Sequence, residues 1–289
     1  MNSEDNNSDY LLHYKGELPK YADYCVNSIL NNDSNSRVFL ISENNYENLK
    51  VETINPNDLS KEFINDVIKV NYFKDNPDQL WITSLLRIFD LYNAAVGIGI
   101  KKFIHFDLDV LIYEPYDKLK HYFKENKLNI TPESERSLIF GYSFIDGIEN
   151  YKIVCETILN ILLNAEFYED KYYKGNKLNE MVLMNIAYIE NPELFHILET
   201  LPGGSQEIIF DGISYGQYLG GINNKKFSRK TINPTHFAGR EMINKGFRPK
   251  FNSGKPEIIF DKKTYKLANL HIHKKSLKKY IYINEKQDI

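Results

Sequence analysis

Residues 102–113, Lys-Phe-Ile-His-Phe-Asp-Leu-Asp-Val-Leu-Ile-Tyr, constrain this chain more than any other stretch. Side chains alternate along a strand. Ile104, Phe106, Leu108, Val110 and Ile112 would therefore share one apolar face, and His105, Asp107 and Asp109 the other. A strand of this kind belongs inside a layered α/β domain. Its acids then stand at the carboxyl end, where open α/β sheets place their ligands. Adjacent carboxylates repel each other, and a divalent cation, which takes oxygen ligands and neutralises both, reconciles them. The plain alternative is a pair of solvated acids at a strand end.

The flanking pattern builds the same domain. Apolar residues at 81, 82, 85, 89, 92 and 96 have helical spacing. Asn76-Pro77 supplies a cap and Gly97 a stop, so a helix over 77–96 carries Arg87 into the acidic strand. Upstream, strands are expected at 9–14, 37–41 and 51–54. A helix opens at Pro19, and another spans 59–70. Strand, helix, strand in that order implies a parallel sheet. Downstream, a short helix is expected at 116–124, a polar loop at 129–136 and a strand at 137–145. A long helix through Tyr151, Val154, Cys155, Ile158, Leu159 and Leu162 follows, then a helix at 178–189 and a short strand at 207–211. Residues 223–255 read as loops over a site, and 256–260 and 266–273 as two last strands.

Bulk properties exclude several classes. Hydrophobic residues make up 42% of the 289, enough for a sizeable core. The net charge of −3 gives no basic excess, so no nucleic-acid partner is expected. Two cysteines, Cys25 and Cys155, cannot build a disulfide framework or a zinc cluster. No run approaches a membrane-spanning length, and the expectation is a cytoplasmic protein. The expected organisation is a tail at 1–8 and a single domain at 9–285. Its first half covers 9–125 and its second, irregular half 126–285.

A second concentration of chemistry is Leu270-His271-Ile272-His273-Lys274-Lys275. Period two puts His271 and His273 on one strand face. A third is Asp211, followed by Gly-Ile-Ser-Tyr-Gly-Gln217. Standing at a strand's end, Asp211 either caps a following short helix or points into a cleft.

Ser84-Leu-Leu-Arg87 and Phe106-Asp107-Leu108-Asp109-Val110-Leu111, closing with the His-x-His-Lys stretch, resemble metal-dependent glycosyltransferases of the GT-A fold, particularly the family-8-like group. The block from Phe210 to Gly221 is similar to one found in bacterial and viral enzymes of that type. The resemblance implies a GT-A-like, Rossmann-like mixed sheet flanked by helices. It also implies transfer of a sugar from a nucleotide diphosphate sugar, by the group's habit a UDP-sugar, to a hydroxyl of a glycan or lipid-linked glycan. The implied metal ligands are Asp107, Asp109 and one of His271 and His273. That mixed oxygen and nitrogen set suits Mn²⁺ better than Mg²⁺. The implied donor contacts are Asp107, Arg87, Lys274 or Lys275, and His13 and Tyr14 at the first strand's end. Asp211 and Gln217 are implied at the acceptor, and Arg87 at the donor sugar or an acid beside it. Retention and inversion of the anomeric carbon both remain open.

Two other readings stand beside this one. A haloacid-dehalogenase-like phosphatase would use Asp107 as nucleophile and Asp109 as acid/base, but that fold needs a later pair of acids. A non-catalytic nucleotide-sugar-binding scaffold would show a broken metal set. Separately, Lys274, Lys275, Lys278 and Lys279 with Leu277, Tyr280 and Ile281 form a basic, partly apolar segment suited to weak contact with an anionic membrane.

Overall fold

The computed structural model describes residues 8–74, 79–221 and 232–281. Residues 1–7 of the expected tail, the Asn76-Pro77 helix start, residues 223–231 of the expected loop region and 282–285 lie outside them.

The first half runs β1 (Asp9–His13), α1 (Ala22–Asn32), β2 (Arg37–Ile41), β3 (Glu52–Ile54), α2 (Ile64–Val70), α3 (Gln79–Ile98), β4 (Lys102–His105), β5 (Val110–Ile112) and α4 (Tyr116–Leu119). The second runs β6 (Leu128–Ser134), β7 (Ser137–Asp146), α5 (Ile148–Leu163), α6 (Ala165–Tyr173), α7 (Glu180–Glu190), β8 (Phe195–Ile197), β9 (Ile208–Ile209), α8 (Ser214–Gly220) and α9 (Phe237–Lys245). Four strands close the described chain: β10 (Pro249–Asn252), β11 (Lys255–Phe260), β12 (Lys263–Leu267) and β13 (Asn269–His271).

The main sheet has the order β3-β2-β1-β4-β7-β6-β8. β1 pairs in parallel with β2 and β4, whereas β7 runs antiparallel to both β4 and β6. The result is the expected mixed sheet flanked by helices. Successive residues of one strand feed different cores, because both faces are covered. Tyr10 and Leu12 of β1 join a cluster with Cys25 and Ile29 of α1 and Leu267 and Leu270 of the last strands. Leu11 joins the opposite cluster, with Phe89 of α3, Ile158 of α5 and Leu183 of α7. Cys25 and Cys155 are both free and buried.

Several expectations are corrected. The helix foreseen over 59–70 begins only at Ile64, after a 3₁₀ turn at Pro56–Asp58. The polar loop foreseen at 129–136 is mostly β6. Its polar side chains are absorbed by β7, with Thr131 Oγ1 donating to the Ile139 carbonyl at 2.8 Å. Within 223–255, Phe237–Lys245 is helical and Pro249–Asn252 is a strand. Among the described residues, β10, β11, β12 and β9 form a second sheet.

The most consequential correction concerns residues 102–113. They do not form one strand. β4 ends at His105, and Phe106 to Asp109 make a turn closed by the Val110 N–H donating to the Asp107 carbonyl at 3.0 Å. The chain then leaves the main sheet, and β5 pairs antiparallel with β13, placing Val110 opposite His271. His105 therefore does not share a face with the acids. It is buried beneath the sheet, its Nδ1 2.6 Å from the Leu11 carbonyl oxygen, and burial, then the Arg87 charge, depress its pKa.

Candidate metal centre

The turn at 106–109 and the pairing of β5 with β13 together build the site. Asp107, Asp109 and His271 each turn one ligand atom toward a common point, all within 4.8 Å of one another. Nε2 of His271 lies 3.1 Å from Oδ1 of Asp109 and 3.9 Å from Oδ2 of Asp107. Nδ1 of His271 donates to the Gly212 carbonyl at 2.8 Å, which fixes the ring and turns Nε2 toward the acids.

The other carboxylate oxygens are held by basic side chains. Lys275 Nζ donates to Oδ2 of Asp109, and Arg87 Nη1 donates to Oδ1 of Asp107. Burial works to raise the Asp109 carboxyl, but His271 and Lys275 outweigh it and hold it well below the usual range. Burial works to lower His271, but Asp109, then Asp107 and the Gly212 carbonyl, push it up to about 9. A cation arriving between these groups would take over the charge balance that a proton on His271 now supplies. The donor set, two carboxylates and one oriented imidazole, fits a divalent ion that accepts oxygen and nitrogen together.

Sequence reasoning missed Glu180. It sits in the first turn of α7, buried, and accepts from Arg87 Nη2 at 2.7 Å. Arg87 is buried too, with its guanidinium 5.3 Å from the Phe140 ring centre. It thus bridges two acids, Asp107 and Glu180. Burial raises the Glu180 carboxyl. The only sequence signal was an acid at the start of a helix, which reads equally well as a dipole partner.

Asp211 is 1% exposed, with both carboxylate oxygens in use. Oδ1 accepts the Tyr215 N–H at 2.9 Å, and Oδ2 accepts the N–H groups of Gly216 and His271 at 2.7 and 3.0 Å. It caps α8 and anchors the backbone of the metal-ligand strand at once. Gly216 lets these segments touch: a Cβ there would lie 2.0 Å from the His271 carbonyl oxygen.

The remaining foreseen residues divide. His273 is outside the cluster, its Nδ1 3.5 Å from Nε2 of Gln217. Lys274 is exposed, and Lys275 is the one engaged with the acids. His13 pairs with Asp90 at 3.1 Å and, with Tyr14, lines a separate pocket of about 210 Å³ that includes neither acid of the cluster. Leu277 is fully buried, and the Tyr280 hydroxyl donates to the Leu219 carbonyl, so these members of the basic segment face the protein. No helix among the described residues is long and apolar enough to cross a membrane.

No protein-family model matches the chain, and no curated protein sequence matches it. Solved structures do. The chain is similar to mouse xyloside xylosyltransferase 1, apo form, at a TM-score of 0.46 and 14% identity, over 67% of this chain and 85% of that one. It is similar to the PaToxG glycosyltransferase at 0.43 and 8%, over 64% and 70%. It is also similar to the galactosyltransferase LgtC, in complex with donor and acceptor sugar analogues, at 0.40 and 12%, over 70% and 75%.

Proposed function

We propose that this chain transfers a sugar from a nucleotide diphosphate sugar, a UDP-sugar, to a hydroxyl of a glycan or lipid-linked glycan. The observation that carries the reading is the convergence of Asp107, Asp109 and His271, with each acid's second oxygen tied to a basic side chain. A divalent ion held there supplies positive charge to a diphosphate leaving group.

The chain's own residues do the rest. Arg87 and Lys275 orient the two acids, and Gly212 orients His271. Lys275, or the exposed Lys274, adds positive charge beside the departing nucleotide. His13 and Tyr14 line a pocket suited to the nucleotide's far end. Gln217 orients the sugar or the acceptor, while the three N–H groups on Asp211 support reading it as a brace. The anomeric carbon passes through an oxocarbenium-like state, as in glycoside hydrolysis. Exposed Lys274, Lys278 and Lys279 favour peripheral contact with an anionic membrane carrying a lipid-linked acceptor, which sedimentation with anionic vesicles reads.

Neither alternative gains an observation. The phosphatase needs further acids, and among the described residues the cluster gathers two acids and one histidine. The scaffold reading needs a broken metal set. The test is a panel of UDP-, GDP- and CMP-sugars scored for Mn²⁺-dependent nucleotide release. Release from UDP-sugars is expected; no release from any donor contradicts the reading.

A further inference from the structure

The Gly212 carbonyl can orient His271 only if the backbone around it is held, and the side chain of Asn269 holds it. β12 pairs with β9 as far as Ala268, whose N–H donates to the Ile209 carbonyl at 2.9 Å. From Asn269 onward the backbone turns to β5, with Asn269 opposite Ile112. The Asn269 side chain continues the ladder that its backbone has left. Its Oδ1 accepts the Asp211 N–H at 3.0 Å, and its Nδ2 donates to the Asp211 carbonyl at 2.8 Å. Nδ2 also donates to the Gly141 carbonyl of β7 at 3.1 Å. Asn269 is 0% exposed, so these buried backbone groups depend on its amide.

The clasp is reciprocal. Asp211 Oδ2 accepts the His271 N–H at 3.0 Å, while Asn269 takes both backbone groups of Asp211. Gly141 completes it. A Cβ there would lie 2.1 Å from the Gly212 carbonyl oxygen, so Gly212 rests directly on β7. The neighbouring Phe140 carbonyl accepts the Asp107 N–H at 3.3 Å. One stretch of β7 thus carries the backbone of Asp107 and, through Asn269 and Gly212, the ring of His271. The chemistry of the clasp demands an amide. An aspartate at 269, ionised or protonated, cannot donate to both the Gly141 and the Asp211 carbonyls, and an apolar residue of that size leaves all three backbone groups unpaired.

We propose that Asn269 is a positioning residue that sets the aim of His271 through the backbone of Asp211 and Gly212. Its consequence for metal binding rests on the sugar-transfer reading above. Asn129 supplies a matched control. It is also 0% exposed and clasps one residue's backbone in the same way, accepting the Lys124 N–H at 2.7 Å and donating to the Lys124 carbonyl at 3.1 Å. Its other partners are the Lys127 and Phe144 carbonyls, and none of these residues belongs to the site.

The experiment compares Asn269→Asp and Asn129→Asp with the unmodified full chain. Nuclear magnetic resonance of isotope-labelled histidine in the metal-free protein reads the Nδ1–H proton of His271, identified by its loss in His271→Ala. Mn²⁺ titration followed by electron paramagnetic resonance reads affinity. Both asparagine variants are expected to melt at lower temperature than the unmodified protein. Only Asn269→Asp is expected to lose or shift the hydrogen-bonded His271 signal and to weaken Mn²⁺ binding by about tenfold or more, the range for a ligand that loses its orienting partner. If Asn269→Asp fails to fold, Asn269→Ser, which removes the amide without adding a carboxyl, decides. An unchanged His271 signal in the Asn269 variant, or equal changes in the Asn269 and Asn129 variants, overturns the proposal. The two readouts separate the claims. A His271 signal that responds only to Asn269, in a protein that binds no Mn²⁺, keeps the positioning role and removes the metal-dependent reading. Mn²⁺ binding with a His271 signal indifferent to Asn269 does the reverse.

Discussion

Asp109 and His271 stand side by side because β5 and β13 pair, and Nε2 of His271 lies 3.1 Å from Oδ1 of Asp109. The same pairing brings Lys275 onto the other oxygen of Asp109, across 166 positions of sequence. The centre of the chain and its C-terminal strand therefore make one site, and each member's role is separable by mutation.

His271 and His273 are predicted to behave differently. Only His271 faces the acids with its Nδ1 fixed by a carbonyl. His271→Ala should weaken Mn²⁺ binding by about tenfold or more, in the range seen when a metal site loses an oriented partner. His273→Ala should change it little. Titration of Mn²⁺ followed by electron paramagnetic resonance checks the difference, and equal losses would remove the assignment.

Metal affinity should depend on pH in a stated direction. In the metal-free protein, burial opposes the His271 proton, but Asp109 and Asp107 hold it, up to about 9. A metal must displace that proton, so affinity should rise by about tenfold per pH unit below 9 and flatten above it. Stability of the metal-free protein follows the opposite course. A raised folded-state pKa contributes stability fully below about 6.5, the free histidine value. That contribution is lost as pH rises through about 9. Melting curves in chelator from pH 6 to 10 read the second effect and Mn²⁺ titrations the first.

Asp211→Asn should cost stability. The amide keeps one acceptor oxygen and turns an N–H₂ group toward backbone N–H groups that the carboxylate now satisfies. Leaving a buried donor unpaired costs about 1–3 kcal/mol. Because one of those donors is His271's own backbone N–H, Mn²⁺ affinity should fall together with the melting temperature. An unchanged melting temperature with abolished turnover would instead make Asp211 a general base.

Arg87→Ala should unfold the protein more readily than its part in the site alone would suggest. It strands Glu180, which is buried and accepts from Arg87 at 2.7 Å. Breaking a buried pair from one side costs about 3–5 kcal/mol. Arg87→Ala combined with Glu180→Gln should recover part of that loss, and denaturant melts of the three variants measure it.

Much of this was legible in the sequence, and the failures have physical causes. The Asp107 and Asp109 pair and the terminal histidines stood out because clustered ligand types are scarce in a chain of average composition. The break after His105 was hidden. Phe103, Ile104, Phe106, Leu108, Val110, Leu111 and Ile112 are all buried, so a two-residue alternation fits the stretch although the chain turns within it. β6 was read as a loop because Thr131, Glu133 and Ser134 look solvated until β7 supplies partners for them. Glu180 and the split between Lys274 and Lys275 depend on tertiary packing, which local pattern does not encode.

The central claim is that the Asp107, Asp109 and His271 centre supports metal-dependent turnover of a nucleotide sugar. The most direct measurement is nucleotide release from UDP-sugars after exhaustive chelation, before and after Mn²⁺ is restored, for the unmodified protein and Asp109→Asn. The account predicts release that disappears with the metal and returns with it. It also predicts loss of about a hundredfold or more in Asp109→Asn, since a metal contributes several kcal/mol of charge stabilisation. Undiminished release in excess chelator would contradict it.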